Sequence, residues 1–163
     1  MSNETASRPN GCSNFKLRQL MRRVSQHYDA ELSKAGLKTT QYSLLSQLAR
    51  LGPIRPSELA HVLTIDASTL TRNLKPLVAA GWITVAAGSD ARSHTLAITL
   101  AGQDKRHDGQ RHWKAAQNAL NALLGVEQVI ALHELIDRSL ERFAVLDAGD
   151  YEMDARRVIA PRL

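Results

Sequence analysis

Leu17, Met21, Val24, Tyr28 and Leu32 recur at intervals of three or four positions, the spacing that puts side chains on one face of an α-helix. This predicts a long amphipathic first helix that stops at Ala35-Gly36, with Lys16, Arg22 and Arg23 on its other face. Thr39 or Thr40 is placed to cap a second helix running through Arg50, ended by Gly52-Pro53. Pro56-Ser57-Glu58 opens a short third helix, PSELAHVL. Its Leu59, Ala60, Val62 and Leu63 are too many apolar groups for a solvated segment, so it must lie against something. Asp66 is the N-cap expected for a fourth helix, ASTLTRNLKPLVAA, closed by Gly81.

Beyond Gly81 the period changes. WITVAA and HTLAITL are short extended runs rich in β-branched residues, and the turn GSDARS between them makes a two-stranded hairpin. Thr99 is placed to cap a fifth helix, polar at first and then carrying Trp113, Ala116, Leu120 and Leu123 or Leu124 as far as Gly125. Val129, Leu132, Ile136, Leu140 and Phe143 mark a last helix, expected to fray from about Ala148, where the charges mix. Residues 1–11 are polar and read as a loose tail. A short helix, a tight turn at Thr64-Ile65, a capped helix and then a hairpin follow the order of a winged helix-turn-helix.

Composition narrows the class without changing it. Apolar residues make up 44% of the 163, which excludes a disordered chain, and the 4% aromatic content with abundant Leu and Ala favours helices over a β-sandwich. No run approaches the roughly 18 to 20 apolar residues of a bilayer span, and the polar start lacks the apolar core of a signal peptide, so no membrane partner and a cytoplasmic location are expected. A single cysteine, Cys12, cannot form an internal disulfide. The formal charge is +5, and its distribution matters more than its size. Between positions 38 and 100 stand Lys38, Arg50, Arg55, Arg72, Lys75 and Arg92 against Glu58, Asp66 and Asp90. From 101 to 147 that basic surplus disappears. Residues 1–37 also carry six basic against three acidic residues, so the positive charge sits in the first two-thirds of the chain, where a polyanion would dock.

On a wheel of the fourth helix, Ala67, Leu70, Leu74, Leu77 and Val78 share one arc, while Ser68, Thr69, Arg72 and Pro76 lie opposite. That is the division needed by a helix that grips its scaffold on one side and reads a duplex groove with the other. Arg72 is the one long donor near the centre of the polar stripe, suited to guanine N7 and O6. The hydroxyls of Ser68 and Thr69, with the free N–H groups of the first turn, are placed to meet phosphate or a base. Lys75 suits phosphate. Pro76 leaves the carbonyl of Arg72 without its helical partner, a place where the helix is expected to kink.

From GLKTTQYSLLSQLA through RPSELAHVLTIDASTLTRNLKPLVAAGWI to SDARSHTLAITLAGQ, about residues 36–103, the chain resembles the MarR family of winged helix-turn-helix regulators. The shared features include the wing pattern Asp-x-Arg at Asp90 and Arg92 and the step ITLAG into the next helix. The resemblance implies a mostly α fold (α+β winged helix-turn-helix) of about six helices with a two-stranded β-wing. It also implies a homodimer built from the N- and C-terminal helices. Residues 36–100 would then be the DNA-binding domain, 12–35 and 101–147 the dimerisation region, and 1–11 and 148–163 tails. The partner is double-stranded DNA at a pseudo-palindromic site, bound by a repressor. In similar proteins the wing Asp braces the wing through the Arg, and wing arginines reach the minor groove. The contacts expected here are Ser57, Ser68, Thr69, Thr71, Arg72, Asn73, Lys75, Asp90, Arg92 and His94. The wing VAAGSDARSH carries one arginine and one histidine, fewer positive groups than many wings of the family.

Family members commonly bind small aromatic acids in a cleft beside the DNA-binding lobe. By position Arg18, Arg22, Tyr28, Tyr42, His112 and Trp113 would line it, and a small aromatic or phenolic acid is the expected effector that releases DNA. A thiol-based redox switch through Cys12 is the alternative. Peroxide-sensing relatives place the reactive cysteine where Asn14 stands here and two tyrosines where Tyr28 and Thr39 stand, so Cys12 is two positions early and one tyrosine is missing. A winged helix used only for protein contacts is a further alternative. No enzyme, cofactor or metal is expected. The histidines form no HExxH, and His107 and His112 are five apart, a poor fit to one helix face. Neither a phosphate-binding glycine loop nor a nucleophile elbow occurs.

Overall fold

A computed structural model describes residues 10–87 and 94–158, with side chains as far as Val145. The elements are α1 (Ser13–Leu32) with a one-turn 3-10 helix (Ser33–Ala35), α2 (Thr39–Leu51), α3 (Pro56–Val62), α4 (Ala67–Ala79), β1 (Ile83–Ala87), β2 (His94–Ile98), α5 (Leu100–Leu124) and α6 (Val126–Val158). Six helices and one antiparallel hairpin give the winged helix-turn-helix fold that the periodicity predicts. By its contacts the chain divides into a unit ending at Gln117 and a second from Asn118 onward.

The first unit is built around leucines. Leu32 of α1, Leu45 and Leu48 of α2, Leu59 of α3, Leu70 and Leu77 of α4, Ile83 of β1 and Leu96 of β2 are all fully buried, so every element through the hairpin contributes to one core. The hairpin pairs Ile83 with Ile98, Val85 with Leu96 and Ala87 with His94. Its base is held on the other edge too, because Ile54, between α2 and α3, exchanges both backbone hydrogen bonds with Leu96 at 3.0 and 2.8 Å.

Two helix ends differ from the sequence reading. Thr39 does not cap α2 but begins it: Lys38 is the N-cap, its N–H donating to Gln41 Oε1 at 2.8 Å. The N–H and hydroxyl of Thr39 both donate to Asp29 Oδ1 of α1, at 2.7 and 2.6 Å. A carboxylate ten residues upstream satisfies the orphan donor, which local sequence spacing has no means to reveal. At the other end, α6 continues to Val158 instead of fraying near Ala148, through the good helix formers Glu152, Met153, Ala155, Arg156 and Arg157. In that second unit Gly125, at φ +86°, separates α5 from α6, and Val129 is buried. Ile130, Leu135, Ile136, Leu140 and Phe143 are exposed. No single helix among the described residues is long and apolar enough to cross a membrane.

Helix α5 approaches the rest of the first unit along a line of small residues, Gly102, Gly109 and Ala116, all buried and seven apart. A Cβ at Gly102 would stand 2.1 Å from the carbonyl oxygen of Trp82, and one at Gly109 would stand 2.8 Å from Leu37 Cδ1 and 2.9 Å from Tyr42 Cδ2. Ala116 accepts a hydrogen bond from His27 Nε2 at 2.9 Å. Thr99 fixes where α5 starts: its hydroxyl donates to the Gly81 carbonyl at 2.8 Å and accepts from the Gly102 N–H at 3.0 Å.

Gly102→Ala is expected to destabilise the protein by about 1 to 3 kcal/mol, because the clash is with a backbone atom that cannot turn aside. The gain in helix propensity, about 1 kcal/mol at most and less in the first turn, is too small to offset it. Urea midpoints of the two proteins measure the difference, and equal midpoints would contradict the close approach.

Candidate nucleic-acid interface and an open cavity

The turn between α3 and α4 is made without glycine. Thr64 takes a left-handed conformation, φ +52°, and the chain is held there by Thr64 N–H to His61 O and Ile65 N–H to Ala60 O, both 3.0 Å. A β-branched residue is strained in that region, so the two hydrogen bonds and the burial of the adjoining helices hold the turn against its local preference. Helix α4 then lies on α2, α3 and β1. Leu70, Leu74 and Leu77 are buried, and Ser68, Thr71, Arg72, Lys75 and Pro76 are exposed, with Thr69 and Asn73 half-buried. The wheel is corrected at two positions: Ala67 is exposed and Val78 is 38% exposed, because the scaffold covers an arc narrower than the apolar one.

Asp66 is the N-cap of α4, as its position implies. Its Oδ1 accepts from the Thr69 N–H at 2.7 Å and the Ser68 hydroxyl at 2.5 Å, and its Oδ2 accepts from the Thr69 hydroxyl at 2.8 Å. The Ser68 hydroxyl first, then the N–H and hydroxyl of Thr69, hold the Asp66 carboxyl far below the usual carboxylate range. This corrects the role of the first turn. Its hydroxyl protons and one of its N–H groups are committed to a fixed negative charge, which repels phosphate at the helix end where the dipole alone would attract it. Ser68 and Thr69 are left as acceptors, suited to a base amino group.

Arg72 and Lys75 make no hydrogen bond or ion pair with any described residue, so both are available for an outside partner. The Thr71 hydroxyl turns back to the Ala67 carbonyl at 2.8 Å. Ser57 on α3 and His94 at the start of β2 are exposed. Asp90 and Arg92 lie outside the described residues.

Of the six residues expected around an effector, the structure brings three together. Tyr28, Tyr42 and Trp113 line a cavity of about 440 Å³ between α1, α2 and α5, with the Tyr42 and Trp113 rings 6.3 Å apart and inclined by 24°. The Tyr28 hydroxyl donates to Gln117 Oε1, and burial raises its pKa. The other three do not line this cavity. Arg18 is exposed on α1, and Arg22 faces a groove of about 570 Å³ along α1 with Lys16, Gln19 and Arg23. That groove is larger, but its lining comes from one helix, so it does not enclose a ligand. His112 lies 3.9 Å from Glu31, whose carboxyl is held low chiefly by its hydrogen bond to Lys34 and further by His112.

The sequence reading missed the polar side of the cavity. Ser43, Ser46 and Gln47 of α2 face it, with Ser25 of α1 and Thr39. Positions 43, 46 and 47 are a three-and-four spacing within a leucine-rich helix, so the signal was present as a polar stripe beside a buried one. Cys12 is exposed at the N-cap of α1. No group of three or more His, Cys, Asp or Glu side chains gathers as a metal site among the described residues.

The sequence profile of the MarR family matches residues 37–94. An uncharacterized HTH-type transcriptional regulator of Bacillus subtilis, YwoH, is 29% identical over 90 residues, which span 55% of this chain and 66% of that protein, so about a third of the relative lies outside the match. The M. tuberculosis transcriptional regulator MosR, solved in complex with DNA, is 29% identical with a TM-score of 0.66, over 80% of this chain and 98% of that one. A cysteine-to-serine variant of MarR from E. coli, complexed with operator DNA, superposes with a TM-score of 0.72 at 22% identity, over 78% of this chain and 92% of that one, a likeness of fold.

The Asp66 cap has a pH signature. Its carboxyl is depressed in the folded chain, so its stabilisation is complete above the unfolded value of 3.8 and is lost as pH falls through and below it. Asp66→Ala is therefore expected to melt at a lower temperature than wild type near neutral pH, with the gap closing below about pH 4. Melting curves across that range check it, and a gap of constant size down to about pH 2 would rule out the charged cap as its source.

Proposed function

Because the chain belongs to the MarR family of winged helix-turn-helix transcription regulators, a family of regulators and not of enzymes, we propose that it is a homodimeric repressor released from DNA by a small aromatic ligand. The observation that carries this reading is α4 itself, with three leucines buried in the scaffold and Arg72 and Lys75 exposed and unengaged on the outer side. In this reading α4 enters the major groove, Arg72 pairs with guanine and Lys75 meets phosphate. Ser57, Thr71, Asn73 and His94 flank these contacts, Ser68 and Thr69 accept from base amino groups, and the wing reaches the minor groove through Arg92, braced by Asp90. The MosR complex with DNA supports the polyanionic partner, as does the basic surplus of residues 38–100.

Dimerisation is supported by apolar side chains that the single chain leaves in water. Phe15, Leu17, Leu20 and Met21 on α1 are exposed, as are Ile130, Ile136, Leu140 and Phe143 on α6, too many for a surface with no partner. Residues 12–35 and 101–147 are accordingly assigned to the dimer and 36–100 to DNA. Two such units double the length of duplex read and match a two-fold site. The cavity beside α2 is the effector site in this scheme, and a ligand that favours one arrangement of the helices around it shifts DNA affinity by that preference alone.

Titration of a pseudo-palindromic duplex from the upstream DNA is expected to show two chains per duplex and an affinity that falls steeply with salt. Arg72→Ala should lose about 1 to 3 kcal/mol of preference at one base position. Lys75→Ala should weaken all duplexes alike and reduce the salt slope by about one. If both variants bind and discriminate as wild type does, α4 is not the reading element.

A further inference from the structure

The cavity between α1, α2 and α5 differs in chemistry from a site for an aromatic acid. Its rings are Tyr28, Tyr42 and Trp113, and its polar groups are hydroxyls and the Gln47 amide, with no Lys, Arg or His in the lining. One cation reaches the edge of the lining: Arg50, exposed on α2, donates to Gln47 Oε1 at 3.2 and 2.8 Å and is held there by that amide. His112 faces Glu31, Lys105 stands 5.2 Å over the Trp82 ring, and Arg22 faces the groove along α1. Desolvation raises the pKa of Tyr28, so that ring stays neutral, and its proton is already donated to Gln117. A carboxylate entering this space would lose part of its hydration and meet no cationic side chain in the lining itself, a cost that a few hydroxyls do not repay. One lining group is unsatisfied: Ser46 Oγ is buried and has no hydrogen-bond partner among the described residues.

We propose that this cavity takes an uncharged, flat aromatic molecule whose hydrogen-bonding group meets Ser46 Oγ, and that it excludes the carboxylated analogue. The nearly parallel Tyr42 and Trp113 rings offer the apolar face, and about 440 Å³ is within the usual range for a small-molecule site. A neutral amide, ketone or phenol group satisfies Ser46 without bringing a charge. This narrows the ligand class of the release mechanism above and rests on that reading of the cavity.

The matched pair naphthamide and naphthoate, alike in shape and different in charge, tests it by calorimetry on the full chain near neutral pH. Naphthamide is expected to bind one per chain, at least about tenfold tighter than naphthoate. Ser46→Val, shown to be folded by its melting curve, should weaken naphthamide by about tenfold. Gln47→Lys, which places a cation in the lining, should turn the preference toward naphthoate. Naphthoate binding as tightly as naphthamide, neither compound binding, or an unaltered naphthamide affinity in Ser46→Val would each overturn the proposal. Duplex affinity measured in the same buffer separates the two readings. Naphthamide binding without duplex release removes the release mechanism and leaves the cavity assignment standing. Intact duplex binding with an empty cavity removes only the cavity assignment.

Discussion

Close approach of α5 to three separate stretches of the chain is the constraint on which the first unit depends. Gly102 lets α5 touch the backbone of Trp82 at the foot of the hairpin, Gly109 lets it touch Leu37 and Tyr42, and Ala116 meets His27. With larger side chains at those positions the helix would be pushed away, and Trp113, one turn beyond Gly109, would no longer stack near Tyr42. The wing base, the cavity wall and α1 are thus registered against a single rod. Trp113 in the cavity wall and Gly102 against the Trp82 backbone stand on the same helix.

The electrostatics of α4 follow from a single carboxylate. Asp66 cancels the positive end of α4 and orients two hydroxyls and one N–H toward itself. Positive charge on α4 is thereby confined to Arg72 and Lys75, six and nine residues further on. The outer face of α4 thus presents acceptors at the helix start and donors along its middle. An acceptor-rich first turn with a fixed carboxylate is a poor environment for an anion, whereas Lys75 keeps its charge exposed.

The two units contribute in different ways. The first buries leucines from every element and presents its polar stripe outward, so a single copy accounts for its own core. The second leaves most of its apolar positions in water, and α1 does the same over its first turns. The regular spacing of 129, 132, 136, 140 and 143 is legible in the sequence as a helix face, but periodicity records only that a face is apolar. It carries no information about whether the covering surface belongs to the same chain.

Element order, the hairpin, the Asp66 cap and the leucine face of α4 were all determined locally, by spacings of two, three and four residues and by capping chemistry within one turn. Tertiary structure decided the rest, because it joins residues that no short-range rule connects. Asp29 reaches the start of α2 from the preceding helix, and Ser46 becomes part of a cavity through its place on α2 opposite α1 and α5. Ser68 and Thr69 are an intermediate case: their position was readable, but the direction of their hydrogen bonds depended on a carboxylate already folded into the cap. Arg22 and His112 show the converse. Residue type suggested a carboxylate site, yet helix orientation carried one to the outside and paired the other with Glu31, since the direction of a side chain is set by the packing of its helix and not by its chemistry.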